Sequence, residues 1–259
     1  MYAFVTGASS GIGRDIARTL SLYGYDLIIT ARREDKLMEL AEMLGENTVV
    51  LPCDLSDKEQ CLKLCRELDK YDIEICVNNA GFGLHGDFCE TELDRELTMV
   101  DLNVKALHIF TKYFAKRFTR DDMGYILNVA SIAGFMAGPL MATYYATKAY
   151  VVRLTMAVAE EVRVKTTGVR FGLLCPGPVD TEFNERADVS FPLDGMKSID
   201  VARYAVDKML TKLYKPTDYF NLTYMFPQPS FALAALGSKL SPAFISTRIA
   251  MAMQKKKNG

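Results

Sequence analysis

The sequence predicts a doubly wound α/β fold, a parallel sheet of about seven strands with helices on both faces. Three features carry that prediction. Short runs rich in Val, Ile, Leu and aromatics recur along the chain, segments with helical spacing separate them, and a glycine-rich turn joins the first run to the first helix. Strands that are apolar throughout are those buried on both faces, as happens when helices cover both sides of a parallel sheet. Right-handed crossovers then wind the chain into two layers.

The expected strands are Tyr2–Thr6, Asp26–Thr30, Thr48–Leu51, Glu74–Asn78, Tyr125–Ala130, Val169–Leu174 and, more weakly patterned, Tyr219–Leu222. Between them, Ile12, Ile16 and Leu20 share one helical face, as do Leu37, Leu40, Met43 and Leu44, and then Leu62, Leu64 and Leu68. Two longer helices are expected over roughly Thr91–Phe118 and Ala142–Val164. With no internal repeat, low-complexity tract or Pro/Gly/Ser linker, residues 1–259 are expected to form one domain.

Charge balance excludes some functions. The 31 Lys and Arg nearly cancel the 32 Asp and Glu, so nothing marks a nucleic-acid-binding polyelectrolyte. The cancellation is uneven, because the segment from Tyr219 to Gly259 holds 5 of the basic residues (Lys239, Arg248, Lys255, Lys256, Lys257) and none of the acidic ones. The six cysteines (Cys53, Cys61, Cys65, Cys76, Cys89, Cys175) form no C-x-x-C pair, and only His85 and His108 accompany them. No metal site is expected, and the thiols read as reduced core residues of a cytoplasmic protein. The N-terminal Met-Tyr-Ala-Phe-Val-Thr-Gly lacks the basic and apolar regions of a secretion signal.

After the first strand comes Thr6-Gly7-Ala8-Ser9-Ser10-Gly11-Ile12-Gly13 and then an amphipathic helix. Glycines let the backbone approach a pyrophosphate, and the helix start supplies unpaired N–H groups with a favourable dipole. The spacing is G-x-x-x-G-x-G. At the end of the second strand, where an acidic side chain commonly meets a free ribose 2′-OH, the first charged residues are Arg32 and Arg33. A guanidinium fork suits a 2′-phosphate, which favours NADP(H) over NAD(H). Glu34 and Asp35 are better placed to cap the following helix.

Further along stand Asn78-Asn79-Ala80-Gly81, Asn103, Ser131, Tyr144-Tyr145-Ala146-Thr147-Lys148 and Pro176-Gly177-Pro178-Val179-Asp180-Thr181. Taken in this order with the glycine-rich turn, they resemble the short-chain dehydrogenase/reductase family, a Rossmann fold, over about the first 181 residues. The resemblance implies a catalytic set of Asn103, Ser131, Tyr144 and Lys148. It also implies cofactor contacts from Gly7, Ser9, Ser10, Gly11, Ile12, Gly13, Arg32, Arg33, Asp54, Leu55, Asn79, Ala80, Gly81, Tyr144, Lys148, Pro176, Gly177, Val179 and Thr181.

On a helix, Tyr144 and Lys148 are an i, i+4 pair. A phenol with a pKa of about 10 is a poor base, and a nearby cation is expected to lower that value by roughly 1–3 units. The family assigns Tyr144 as proton donor or acceptor, Ser131 as hydrogen-bond partner of the substrate oxygen, Lys148 as holder of the nicotinamide ribose, and Asn103 as anchor of a relay water. Taken singly, Ser131 also reads as a strand cap and Asn103 as a helix back-bonder. Tyr145 does not stand four before a lysine, and His85 reads as an ordinary loop residue.

The expected reaction is NADP(H)-dependent reduction of a ketone or aldehyde. The alternatives are an NAD-dependent alcohol or hydroxysteroid dehydrogenase and a non-catalytic NADP-binding redox sensor. Residues 182–197 are expected to form a substrate loop. With Ile132-Ala133-Gly134-Phe135-Met136 and Phe82-Gly83-Leu84, the segment from Phe183 through Phe191 to Met196 gives an apolar lining. That suits an acyl, steroid-like or aromatic carbonyl or alcohol.

Residues 226–259 form an extension. Tyr219–Ser238 has the length of a membrane span but holds Asn221, Pro227, Gln228 and Pro229, which argue against one. Ser241-Pro242 reads as a helix start, with Ile245, Ile249, Ala252 and Met253 on one face. That helix is expected over the substrate cleft or at a subunit interface, with peripheral membrane contact as the competing reading. The resemblance implies a homodimer or homotetramer.

Overall fold

The computed structural model describes residues 1–187, 195–214 and 221–255. In chain order the elements are β1 (Tyr2–Thr6), α1 (Gly11–Leu22), β2 (Asp26–Thr30), α2 (Glu34–Leu44), β3 (Val49–Val50), α3 (Lys58–Leu68), β4 (Ile73–Asn78) and α4 (Leu93–Val100). A π-helical turn (Asp101–Ala106) links α4 to α5 (Leu107–Asp121), which precedes β5 (Gly124–Val129), a 3₁₀ turn (Ile132–Phe135), α6 (Ala142–Arg163) and β6 (Val169–Leu174). Then follow β7 (Val179–Asp180), α7 (Glu182–Ala187), β8 (Met196–Lys197), α8 (Ser198–Leu213), β9 (Leu222–Met225), α9 (Pro229–Leu240) and α10 (Ala243–Lys255).

The main sheet has seven strands in the order β3-β2-β1-β4-β5-β6-β9, while β7 and β8 pair separately. Every pairing is parallel. Period-2 alternation sends each strand's side chains into two cores. Ala3, Val5, Leu27, Ile29, Ile75, Val77, Tyr125 and Leu127 meet Ile16 and Leu20 of α1, Leu37 and Leu40 of α2, and Val201 and Met209 of α8. Phe4, Ile28, Cys76, Ile126 and Phe171 point the other way, onto Leu64 of α3, Phe110, Phe114 and Phe118 of α5, and Val162 of α6. Strand β1 pairs with β2 on one side and β4 on the other, so the winding reverses there and a crevice opens at their carboxyl ends.

Several elements depart from expectation, among them α8 and the β7–β8 pair, which no expected element covers. The last strand lies at Leu222–Met225, not Tyr219–Leu222; residues 219–220 are outside the described set. Asn221 leads the chain in, its Nδ2 donating to the Ala159 carbonyl (2.8 Å) and its carbonyl accepting from Phe171 N–H (2.6 Å). At this edge Met225 is buried and Tyr224 exposed, so alternation suffices where the reading required continuous apolarity. The long helix around residues 91–118 is interrupted by the π turn. And α9 was not anticipated: Pro229 stands in its first turn, where a missing N–H costs nothing. Among the described residues no helix is long and apolar enough to cross a membrane.

Candidate active site

The turn after β1 is built by its neighbours. Thr6 Oγ1 donates to the Val77 carbonyl (3.2 Å) and accepts from the N–H groups of Asn79 (2.9 Å) and Ala80 (3.1 Å). Asn79 Nδ2 donates back to the carbonyls of Thr6 (3.0 Å) and Gly7 (3.3 Å). Gly7 takes φ +67°, and a Cβ on Gly13 would lie 2.3 Å from Asn79 Nδ2 and 2.5 Å from the Gly7 carbonyl oxygen, so both positions require glycine. Ser10 caps α1 in an extended conformation without a side-chain hydrogen bond, and the first turn carries no acidic residue. Its N–H groups and dipole are therefore available to an anion, and the site fits a dinucleotide pyrophosphate.

The two arginines diverge. Arg32 is exposed at the rim of the cleft. Arg33, expected to meet cofactor, donates to Ser9 Oγ (3.2 Å) and pairs with Glu182 of α7 at 2.9 Å. Glu34 and Asp35 sit in the first turn of α2, as expected. Asp54 Oδ1 accepts from the N–H (3.0 Å) and hydroxyl (2.7 Å) of Ser56, and Leu55 is buried beside it.

The reactive residues converge at the ends of β4, β5 and β6. The π turn brings Asn103 inward, 1% exposed, with Oδ1 accepting from Phe82 N–H (3.0 Å) and Nδ2 donating to the Phe82 carbonyl (2.8 Å) and Thr147 Oγ1 (3.1 Å). Such single π turns recur at functional sites. A Cβ on Gly81 would lie 2.9 Å from Asn103 Oδ1 and 3.6 Å from Lys148 Nζ, so these residues adjoin. Ser131 Oγ accepts from Ala133 N–H (3.1 Å), capping the 3₁₀ turn, and donates to the Pro176 carbonyl (3.3 Å). Lys148 Nζ donates to the Val129 carbonyl (3.0 Å) and lies 5.8 Å from the centre of the Tyr144 ring.

Electrostatics at this pair differ from expectation. Burial raises the Tyr144 pKa well above the ordinary phenol value, opposed by its hydrogen bond with Ser131. The lysine does not lower it: burial drives Lys148 itself down, to about 8, while the adjoining Cys175 thiol is pushed up to about 12. Spacing reported the neighbour but not its desolvation, which is the larger effect. Tyr144 is thus held as a neutral phenol, the form that donates a proton.

The glycine-rich turn, Arg32, Arg33, Asp54, Asn79, Gly81, Ser131, Tyr144 and Lys148 line one cleft of about 1490 Å³, with Asn103 behind Phe82. Its far wall is Met141, Phe183, Phe231, Ile249 and Ala250; the Phe183 ring is 5.4 Å from that of Tyr144. A Cβ on Gly177 would lie 2.2 Å from Phe231 Cζ, and Ser238 Oγ donates to the Phe135 carbonyl (2.9 Å), so α9 packs against the loops after β5 and β6. Pro178, Val179 and Thr181 also line the cleft. Phe231 and Ala250 went unnoticed in the sequence because they lie beyond its motifs. Ser241, expected to start the last helix, instead ends α9, its N–H donating to the Gly237 carbonyl (2.9 Å). Ile249 and Ala252 are exposed on α10, whereas the side chains of Ile245 and Met253, the segment 188–194 with Phe191, and Lys256 and Lys257 lie outside the described set. Among the described residues no cluster of His, Cys, Asp and Glu is arranged to hold a metal ion.

A cleft for a dinucleotide at the switch point of a parallel sheet, with a buried Tyr–Lys pair at its floor, defines a Rossmann-type oxidoreductase. The family model described as short chain dehydrogenase matches residues 1–189, and the chain belongs to that family. The 3-oxoacyl-[acyl-carrier-protein] reductase FabG of Rickettsia conorii is 32% identical over 187 residues, 71% of this chain and 75% of that protein. A short-chain dehydrogenase from Sphingobium yanoikuyae in complex with NADPH is similar at a TM-score of 0.81 and 26% identity, covering 92% of this chain and 93% of its own. The bulky-bulky ketone specific alcohol dehydrogenase from Comamonas testosteroni is similar at a TM-score of 0.75 and 25% identity, covering 93% and 94%.

Proposed function

We propose that the protein is an NADPH-dependent carbonyl reductase acting on an apolar ketone or aldehyde, with residues 1–259 as one catalytic domain. The observation that carries this reading is the buried, neutral Tyr144 phenol, bonded to Ser131 and facing a cleft walled by Met141, Phe183 and Phe231. When bound, the nicotinamide supplies the hydride. Tyr144 gives its proton to the substrate oxygen, Ser131 steadies that oxygen by a hydrogen bond, and Lys148 holds the ribose. Asn103 keeps the Phe82 backbone and Thr147 in place around the lysine.

Apolar walls favour acyl, steroid-like or aromatic carbonyls over polyols, because a polar substrate would leave its hydroxyls unpaired there. The similarity to a reductase of 3-oxoacyl groups and to a bulky-ketone dehydrogenase supports the same class. A panel of bulky apolar and small polar carbonyls, followed by NADPH consumption, tests it: activity is expected with the bulky members, and activity confined to the small polar ones overturns the reading.

Arg32 is assigned to the 2′-phosphate. Exposed at the cleft rim, it can present its fork without breaking an existing pair, whereas Arg33 would have to leave Glu182. Arg32→Ala is expected to weaken NADPH binding roughly 10- to 100-fold, the worth of a hydrogen bond to a charged group. NADH binding should change by less than about twofold on the same ground; fluorescence titration with both nucleotides measures the difference.

A further inference from the structure

Both C-terminal helices contribute residues to the cleft: Ser230, Phe231, Ala234 and Ser238 from α9, and Ser246, Ile249 and Ala250 from α10. The same two helices leave Leu233 (70%), Leu236 (54%), Phe244 (64%) and Ile249 (56%) in solvent. Leu233 and Leu236 stand three apart on α9, and Phe244 and Arg248 stand four apart and exposed on α10, so each pair shares a helical face. Large apolar side chains at such exposure need a partner more than scattered ones do.

The charge around them indicates which partner. No Asp or Glu occurs anywhere from Tyr219 to Gly259, while Lys239, Arg248, Lys255, Lys256 and Lys257 do. Contrast α4, where Leu93 and Leu97 are equally exposed but stand beside the exposed carboxylates of Glu92 and Asp94 as well as Arg95. An acid-free segment that combines exposed apolar side chains and Arg248 with four lysines in its sequence matches an anionic lipid headgroup layer, into which Leu and Phe insert while Lys and Arg stay at the phosphates. We infer that α9 and α10 dock this protein peripherally on an anionic membrane, setting the mouth of the cleft at the lipid surface. The docking stands on the exposed helices alone; only its consequence, that the carbonyl substrate enters from the lipid phase, rests on the reductase reading.

Sedimentation of the full chain with phosphatidylcholine vesicles, with and without an equimolar share of phosphatidylglycerol, tests the docking. Binding is expected to the anionic vesicles, at least about tenfold stronger than to the neutral ones, and to weaken with added salt. The triple variant Leu233→Ser, Leu236→Ser, Phe244→Ser and, separately, Lys255→Gln with Lys256→Gln and Lys257→Gln should each lose about tenfold or more of that binding. Leu233, Leu236 and Phe244 do not line the cleft, and the lysines stand outside every motif assigned to the site, so NADPH-dependent turnover of a water-soluble ketone should persist in both variants and report that they are folded. Vesicle binding that is absent in the wild type, or indifferent to the apolar substitutions, overturns the proposal. So does an oligomer in the ultracentrifuge that the triple variant dissolves while vesicles are ignored, which would make the face a contact between copies of this chain. A wild type that binds vesicles but reduces no carbonyl would leave the docking standing and sink the reductase reading.

Discussion

Tyr144→Phe is expected to reduce kcat by roughly a hundred- to ten-thousand-fold, the usual contribution of a positioned general acid, while NADPH affinity stays within about twofold. The ring contributes packing, 5.4 Å from Phe183 and 6.2 Å from Tyr145, and phenylalanine retains that shape. Only the hydroxyl and its hydrogen bond with Ser131 disappear. Stopped-flow reduction with the best substrate of the carbonyl panel, paired with fluorescence titration of NADPH, separates the two quantities. Turnover that survives the substitution would remove Tyr144 from the proton-transfer role, and the neighbouring Tyr145 would be the next group to vary.

The fold was readable because buried parallel strands write themselves as apolar runs, and six of the seven sheet strands fall within a residue or two of where those runs lie. The seventh lies on an edge, where one buried side chain such as Met225 is enough and the pattern weakens. The motif positions were equally readable, since the glycine-rich turn, Asn79 and the Tyr144–Lys148 spacing follow one another in a fixed order along the chain. What escaped was non-local. Nothing in Asp101-Leu102-Asn103 announces a π turn, nothing near Arg33 announces Glu182, and nothing in a run with two prolines and no charge announces that α9 will wall the cleft. The sign of the Tyr144 shift escaped for the same reason: a cation four residues away is visible in sequence, but the burial that raises the phenol is created by Met99 of α4, Ala133 of the 3₁₀ turn and Phe183 and Ala187 of α7.

That burial makes Lys148 a place where stability and activity oppose each other. Lys148 is 6% exposed and its pKa is lowered from 10.5 to about 8, so below pH 8, where folded and unfolded chains both carry the proton, the fold bears the whole cost of the buried charge. At about 1.4 kcal/mol per unit this is about 3 kcal/mol. Between pH 8 and the unfolded value of 10.5 the folded chain sheds the proton first and the cost fades, so stability from this group rises with pH. Lys148→Met removes the charge but also deprives the Val129 carbonyl of its donor, a loss of about 1–2 kcal/mol. The variant is therefore expected to be more stable than the wild type at pH 7 by about 1–2 kcal/mol, read from urea midpoints, with the advantage gone above pH 10.5. Its turnover should nevertheless fall at least about a hundredfold, because in the proposed mechanism the cation that holds the ribose is gone. A Lys148→Met chain that is less stable at pH 7, with no pH dependence relative to wild type, would mean that the lysine serves packing and hydrogen bonding; a more stable and inactive chain means that the fold keeps a costly charge for its chemistry.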